Sequence, residues 1–470
     1  MSDHTLVQQL ADFAEGHRRR GVGGPLRADA ARRLLDVLGN SLAARRTPAA
    51  AAVRALVGEW GGRPVATALG LPGRYPAASA ALLGGTLAHA LDFDDTHLPS
   101  VLHPSATVVP TALAVAEAVG ASGAALLDAI AVGVEIAVRV GMAGYDAELG
   151  NSVFFERGLH ATAICGAVGG AAAAGMLSGL DAPRIAHALG IAASMGSGLL
   201  EANRTGGTVK RVHCGWAAHA AVTAAELARH GLTGPPTVLE GRFGLLQAFC
   251  GDRAVPERIV HGLGEQWELP GVFFKPYPCN HFTHAGIDAA LRLRAQGVTP
   301  EDVVRLTLGA PAPVLRTIGE PPDAKRSPES GYHAAFSGPY TVAAALVGGG
   351  GLGVFHEDFT DAAARDPRRL ALAAKVECVP DARCDAIFPY QFPAVLTAEL
   401  HDGRTLTERV EVNRGGPGNP LTATELATKF RLNAASALPA EQAELLGEIV
   451  YSTAELETVQ TLIEQLPASD

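Results

Sequence analysis

Between Leu159 and Leu180 the chain is almost entirely small and apolar, and Gly166, Gly169, Gly170 and Ala173 recur at three- and four-residue spacing. That spacing puts a stripe without side-chain bulk along one helix face, so neighbouring helices can cross at short range. The same economy holds for the whole chain: hydrophobic residues make up 48% but aromatics only 5%, with 54 glycines. Its cores must be filled with Ala, Leu, Val and Gly, which suits closely approaching helices. Residues 107–134 and 159–180 are long enough to raise a membrane reading, but Glu117, Asp128 and His160 interrupt or adjoin them. They read as buried helices of a soluble protein.

A chain of 470 residues is expected to form two or three domains. Residues 5–262 read as helix after helix. Leu6, Leu10, Phe13 and Ala14 form one apolar stripe, and Leu34, Leu35, Val37, Leu38 and Leu42 another. Gly61-Gly62, Pro72-Gly73, Ser122-Gly123, Ser178-Gly179 and the Gly231–Pro236 stretch punctuate them. Near residue 268 the texture changes. Residues 303–308 and 375–379 alternate like strands. Residues 394–400 and 405–412 alternate around His401-Asp402-Gly403-Arg404, a hairpin signal. Helices are expected at 283–296 and 334–348. Thr422 and Glu425 make a capping box that opens a helix to Asn433, and 439–449 and 453–466 complete a helical tail. The expected fold is mainly α with a smaller α+β domain. A helical domain (1–267) is followed by an α+β lid (268–412) and a tail (413–470) that returns to the first domain.

The formal net charge is −10 and no Lys/Arg-rich run offsets it, which argues against a nucleic-acid partner. Six cysteines contain no C-x-x-C pair, the pattern of reduced thiols in the cytoplasm. The start, Met-Ser-Asp-His-Thr, lacks the basic and apolar regions of a signal peptide. A cytoplasmic location and no membrane partner are expected.

Chemistry concentrates in a few places. Asp92, Asp94, Asp95, His97 and His103 fall within twelve positions set in apolar surroundings, where titratable groups have shifted pKa values. The stretch reads as one wall of an active site, against a plain capping role for Asp94 or Asp95. A divalent ion on Asp92, Asp95 and His97 is a further reading. His160 opens the Ala/Gly-rich helix, where the dipole favours the neutral imidazole. Lys210 and Arg211 stand where a helix begins, which the dipole opposes unless an anionic ligand is bound there. His213 and His219 read as structural. His281 and His284 lie three apart at another helix entrance, with His284 the substrate-facing one. Tyr340 could donate to a carboxylate or anchor a core.

Taken in order, several strings resemble the MmgE/PrpD family over essentially the whole chain. They are Ala90-Leu91-Asp92-Phe93-Asp94-Asp95-Thr96, His103-Pro104-Ser105, Gly158-Leu159-His160, Lys210-Arg211 with Gly215, Lys275-Pro276-Tyr277-Pro278-Cys279, Phe336-Ser337 with Pro339-Tyr340, and Asn419-Pro420-Leu421-Thr422. The family includes 2-methylcitrate dehydratases, cis-aconitate decarboxylases and iminodisuccinate epimerases. The resemblance implies a large helical domain, a smaller α+β lid, an interdomain cleft, a homodimer, and no metal or organic cofactor. By motif position it implies active-site roles for Asp92, Thr96, His103, His160, Lys210, His284 and Tyr340. Asp94 stands where methylcitrate dehydratases carry Asn, and Leu102 and Ala106-Thr107 also depart from their pattern. These differences point toward the decarboxylase and epimerase branches.

The expected activity is therefore a cofactor-independent lyase on a small di- or tricarboxylate. His103 and His160 serve as acid and base, Asp92 orients an imidazole, and Lys210, Thr96, His284 and Tyr340 bind substrate. An iminodisuccinate-type epimerase would use the same groups without elimination. A magnesium-dependent terpenoid-type synthase is the distant alternative, since Asp92, Asp94 and Asp95 make a D-x-D-D, although the scarcity of aromatics opposes it.

Overall fold

Every residue from Ala161 to Met176 is buried in the computed structural model, which describes residues 4–202 and 207–467. This Ala161–Leu177 helix packs on Ser105–Val119, Gly123–Met142, Ala182–Met195 and Lys210–Arg229. The glycine stripe makes that possible. A Cβ on Gly166 would stand 2.8 Å from the Thr107 hydroxyl, on Gly169 2.2 Å from the Gly133 carbonyl oxygen, and on Gly170 2.9 Å from the Ala221 methyl. Any larger residue would force the helices apart.

The chain divides into two units, 1–272 with 430–470, and 273–429. The fold class is mainly α with a small α+β part, as the patterning implies. In the first unit, Leu6–Arg20 begins with a capping box between Thr5 and Gln8, and Thr47, Ser122 and Asp181 cap later helices through their side chains. Leu34, Leu35, Val37, Leu38 and Leu42 of Gly24–Ala44 are all buried.

The helical run stops earlier than expected. From Gly231 to Val272 the chain makes turns, short 3₁₀ segments and one five-residue helix, Leu245–Phe249. A buried ion pair holds the last part of this segment, residues 259–269, in place of its own helical bonds. The Arg139 Nε donates to Glu135 at 2.6 Å, and its guanidinium also donates to the carbonyls of Ile259, His261 and Gln266. Glu135 in turn accepts from the amides of Glu268 and Leu269. The tail departs in the same way. Ala440–Tyr451 forms, but 453–466 splits into a 3₁₀ turn, Thr453–Glu455, and a short helix, Gln460–Ile463. Between them the Gly123 amide donates to the Leu456 carbonyl and the Val459 amide to that of Ala121, so these residues bond the body instead of themselves.

The second unit holds a four-stranded sheet in the order Val376–Pro380, Val303–Ala310, Ala394–Leu400, Thr405–Val410. The first pair is parallel and the others antiparallel. The Asp-Gly hairpin forms, with Gly403 at φ 87°, and its second strand ends at Val410. Helices His284–Ala295 and Gly338–Val347 close one core with the sheet. The Thr422–Glu425 box opens Ala423–Ala434. Residues 413–429 belong to this unit, whereas the texture places the boundary after 412. The reason is side-chain bonding: Arg414 reaches the Tyr277 hydroxyl and Glu425, and Asn413 meets His281. Among the described residues no helix is long and apolar enough to cross a membrane.

Candidate active site

Two helices of the first unit bring the site together. Ala77–His89 and Lys210–Arg229 cross where Gly85 meets Gly215. A Cβ on Gly85 would lie 2.8 Å from the Cys214 carbonyl oxygen, and one on Gly215 2.2 Å from that of Leu82. Only glycine permits such backbone contact. His89 lies one turn beyond Gly85 and ends its helix, while Lys210, His213 and Cys214 flank Gly215 on the other. The crossing therefore delivers both sets of side chains to one place.

The loop after His89 supplies the rest. Asp92 and Val101 have φ of 52° and 51°, a left-handed conformation that is costly for non-glycine residues and uncommon outside functional sites. Asp94 is fully buried, with Oδ2 2.7 Å from His89 Nδ1. Asp95 accepts from Ser105 Oγ at 2.5 Å, from the Ser105 amide, and from Arg33 at 3.2 Å. Burial nevertheless raises its pKa to about 6, against the Arg33 charge and the Ser105 bond. Asp92 remains half-buried, with Oδ1 3.7 Å from Lys210 Nζ. His97 bonds Ser100 at 2.7 Å. Asp92, Asp95 and His97, the metal ligands of one reading, thus face different partners, and no trio of His, Cys, Asp or Glu among the described residues could hold a metal ion. The D-x-D-D reading meets the same difficulty, since Asp94 and Asp95 are committed within the protein.

His103 Nδ1 lies 2.6 Å from the Asp95 carbonyl oxygen and 3.2 Å from Thr96 Oγ1. A carbonyl can only accept, so Nδ1 carries the proton and Nε2 is the basic nitrogen of the neutral ring. Thr162 Oγ1 accepts the His103 amide, which fixes the loop to the Ala/Gly-rich helix. His160 precedes that helix, is buried, and places Nδ1 3.1 Å from His213 Nδ1. Four imidazoles form a row: His103 to His89 at 5.4 Å between ring centres, His89 to His160 at 5.3 Å, and His160 to His213 at 5.1 Å. Burial, followed by the charges of His89 and Lys210, drives the His160 pKa well below its usual value. The same causes lower His213 to about 4. Burial, more than the helix start, thus accounts for the neutral His160. His89 goes the other way. Burial opposes its charge, but Asp94 and then Cys214 outweigh it and raise the pKa to about 10.

The second unit carries the other two expected residues. His284 begins its helix fully buried, with Nε2 3.2 Å from the Cys279 carbonyl oxygen and its ring against His281 and Tyr277. Tyr340 is equally buried. Its hydroxyl donates to the Asp358 carbonyl at 2.7 Å and accepts from Arg369 at 3.2 Å, which makes it an anchor within its own unit, not a carboxylate donor.

Two family models match the chain, the MmgE/PrpD N-terminal domain over residues 8–258 and the MmgE/PrpD C-terminal domain over 277–453. The chain belongs to the MmgE/PrpD family. This MmgE/PrpD protein is 32% identical to the cis-aconitate decarboxylase of Homo sapiens over 405 residues, covering 83% of this chain and 79% of the human one. It is 28% identical over 440 residues to a cis-aconitate decarboxylase-like protein of Aspergillus oryzae, covering 89% and 88%. With the cis-aconitate decarboxylase of Aspergillus terreus it shares 29% over 405 residues, covering 83% and 81%. These likenesses make it a lyase-type enzyme of the family.

In this MmgE/PrpD chain the first unit brings together Asp92, Thr96, His103, His160 and Lys210. Pattern reading misses His89 and Cys214 and treats His213 as structural. A signal for His89 exists: an acid in an apolar stretch needs a cationic partner, and an imidazole lies five residues before Asp94.

Proposed function

We propose that this MmgE/PrpD protein is a cofactor-independent lyase that decarboxylates a small unsaturated tricarboxylate of the cis-aconitate kind. The observation that carries this reading is the His103 geometry. Its Nδ1 is tied to a backbone carbonyl, so Nε2 handles the proton, at one end of an imidazole row that Lys210 also faces. In the reaction the C–C bond to one carboxylate breaks and carbon dioxide leaves. The electron pair stays on the carbon framework, and protonated His103 delivers the proton that quenches it. Solvent then restores that proton. Lys210, braced by Asp92, pairs with a remaining carboxylate by charge-assisted bonds. Neutral His160 orients the reacting carbon's neighbours without competing for the proton. The names of the relatives support decarboxylation over loss of water.

The test is to incubate the full chain with citrate, methylcitrate, cis-aconitate and iminodisuccinate in deuterated water and follow proton NMR. The expected result is consumption of cis-aconitate with one carbon dioxide released and one deuterium taken up per turnover. Water loss from methylcitrate would make the enzyme a dehydratase. Deuterium uptake with no mass lost would make it an epimerase. His103→Ala should lower turnover by roughly 10²–10⁴-fold with the fold intact; near-normal activity in that variant overturns the proposal.

A further inference from the structure

Nothing in the reaction above uses His89, yet it occupies the middle of the imidazole row. Its ring lies 5.4 Å from His103 and 5.3 Å from His160, it is 2% exposed, and its Nδ1 meets a fully buried carboxylate at 2.7 Å. A carboxylate with no water around it is stable as an anion only against a cation. The Gly85–Gly215 crossing fixes the helix that carries His89, and the 90–94 turn returns Asp94 to it.

We infer that His89, paired with Asp94, is a permanent buried cation whose task is to keep His160 neutral and so confine proton exchange to His103. The inference rests on reading His103 as the proton-moving group, and it makes His89 a positioning residue. The groups that face His89 are Asp94 from the loop, Cys214 and His213 from the Lys210–Arg229 helix, His103 and His160. Those that face His160 are His89, Lys210, His213 and His103. Two of these neighbours, His89 and Lys210, carry a positive charge, so protonating His160 would add a cation beside them, at ring contact with His89. The arrangement also has a use in the chemistry. A substrate with several carboxylates raises the proton affinity of every base it touches, and a fixed cation beside His160 opposes that rise.

The test uses full-length protein with ¹³C-labelled histidine rings, without substrate, titrated from pH 5 to 9. Single-histidine substitutions assign the His89 and His160 signals. In the unaltered protein His89 should stay an imidazolium up to pH 9 and His160 neutral down to pH 5. In Asp94→Asn, His89 should titrate inside the window, and the His160 midpoint should rise by roughly one to two pH units. His89→Gln should raise His160 by the same amount, with circular dichroism confirming the fold of each variant. A neutral His89 at pH 7 in the unaltered protein overturns the inference, as does a His160 midpoint that moves in neither variant. The titration reads no turnover, so an inactive substrate panel would sink the proposed reaction and leave this result standing. With the substrate in hand, the acidic limb of kcat/KM should move upward in Asp94→Asn. A purely structural pair would lower the rate without moving that limb.

Discussion

Gly215→Ala should damage both the fold and the site. The added Cβ would stand 2.2 Å from the Leu82 carbonyl oxygen and 2.3 Å from Thr86 Oγ1. Ordinary contact is near 3.4 Å, so the two helices must part by roughly 1 Å. Overpacking of this kind costs about 1–3 kcal/mol, and alanine's better helix propensity returns about 1 at most. The closest obstacle is a backbone carbonyl, so trimming Thr86 to Ala should not rescue the variant. A net loss of about 1 kcal/mol is expected, read as a lower urea midpoint at unchanged m value. The same displacement moves His89 away from Lys210 and His213, and misplacement by about 1 Å can cost about 10²-fold in kcat/KM. Gly58→Ala is the matched control. Gly58 lies inside Pro48–Trp60, where an added Cβ would meet nothing within 4 Å, and the variant should gain about 0.5–1 kcal/mol. A Gly215→Ala variant as stable and active as the parent would refute the crossing as the device that assembles the site.

Burial lowers His97 to about 3, with Arg33 adding to the effect, so it folds as the neutral ring. The unfolded chain binds its proton near pH 6.5. Stability from this group is complete above that value and is lost as pH falls toward 3, by up to about 1.4 kcal/mol per pH unit. His97→Gln should reduce the acid slope of stability by one proton, as measured by urea midpoints from pH 7 to 4.5. Tyr340→Phe should cost about 1–2 kcal/mol, because the Asp358 carbonyl loses a buried donor. Its KM should change less than twofold, and a large rise in KM would return the hydroxyl to substrate binding. A Cβ on Gly123 would stand 1.7 Å from the Thr453 carbonyl oxygen, so Gly123→Ala should loosen the tail. Faster proteolysis after Tyr451 would show it.

Much of this is legible in the sequence because it depends on local pattern. The small-residue stripe at Gly166, Gly169 and Gly170 announces close crossings, the Asp402-Gly403 turn its hairpin, and Thr422 with Glu425 a helix start. What escapes depends on partners remote in sequence. Residues 259–269 form no α-helix because Glu135 and Arg139, more than a hundred positions earlier, satisfy several of their backbone groups. The 453–466 helix breaks because Ala121 and Gly123 take its bonds. At the site, Asp92, His103, His160 and Lys210 stand out by charge in apolar stretches or at helix starts. His89 does not, since it lies within a helix whose other residues are apolar or small, and its meaning appears only when Asp94 turns back to it.

The division of the chain sets an order of events on the ribosome. Residues 273–429 are continuous and can close their sheet core as soon as they emerge. The helical core needs stretches of sequence from far apart: Asn433 donates to Asn40, Phe430 lies against Gly39, and Val459 bonds Ala121. It therefore stays open until residues 430–470 have been made, with its many alanine- and glycine-faced helices waiting on them. A nascent chain stalled before residue 430 would hold a finished sheet module and an unsealed helical one, the form most in need of a chaperone.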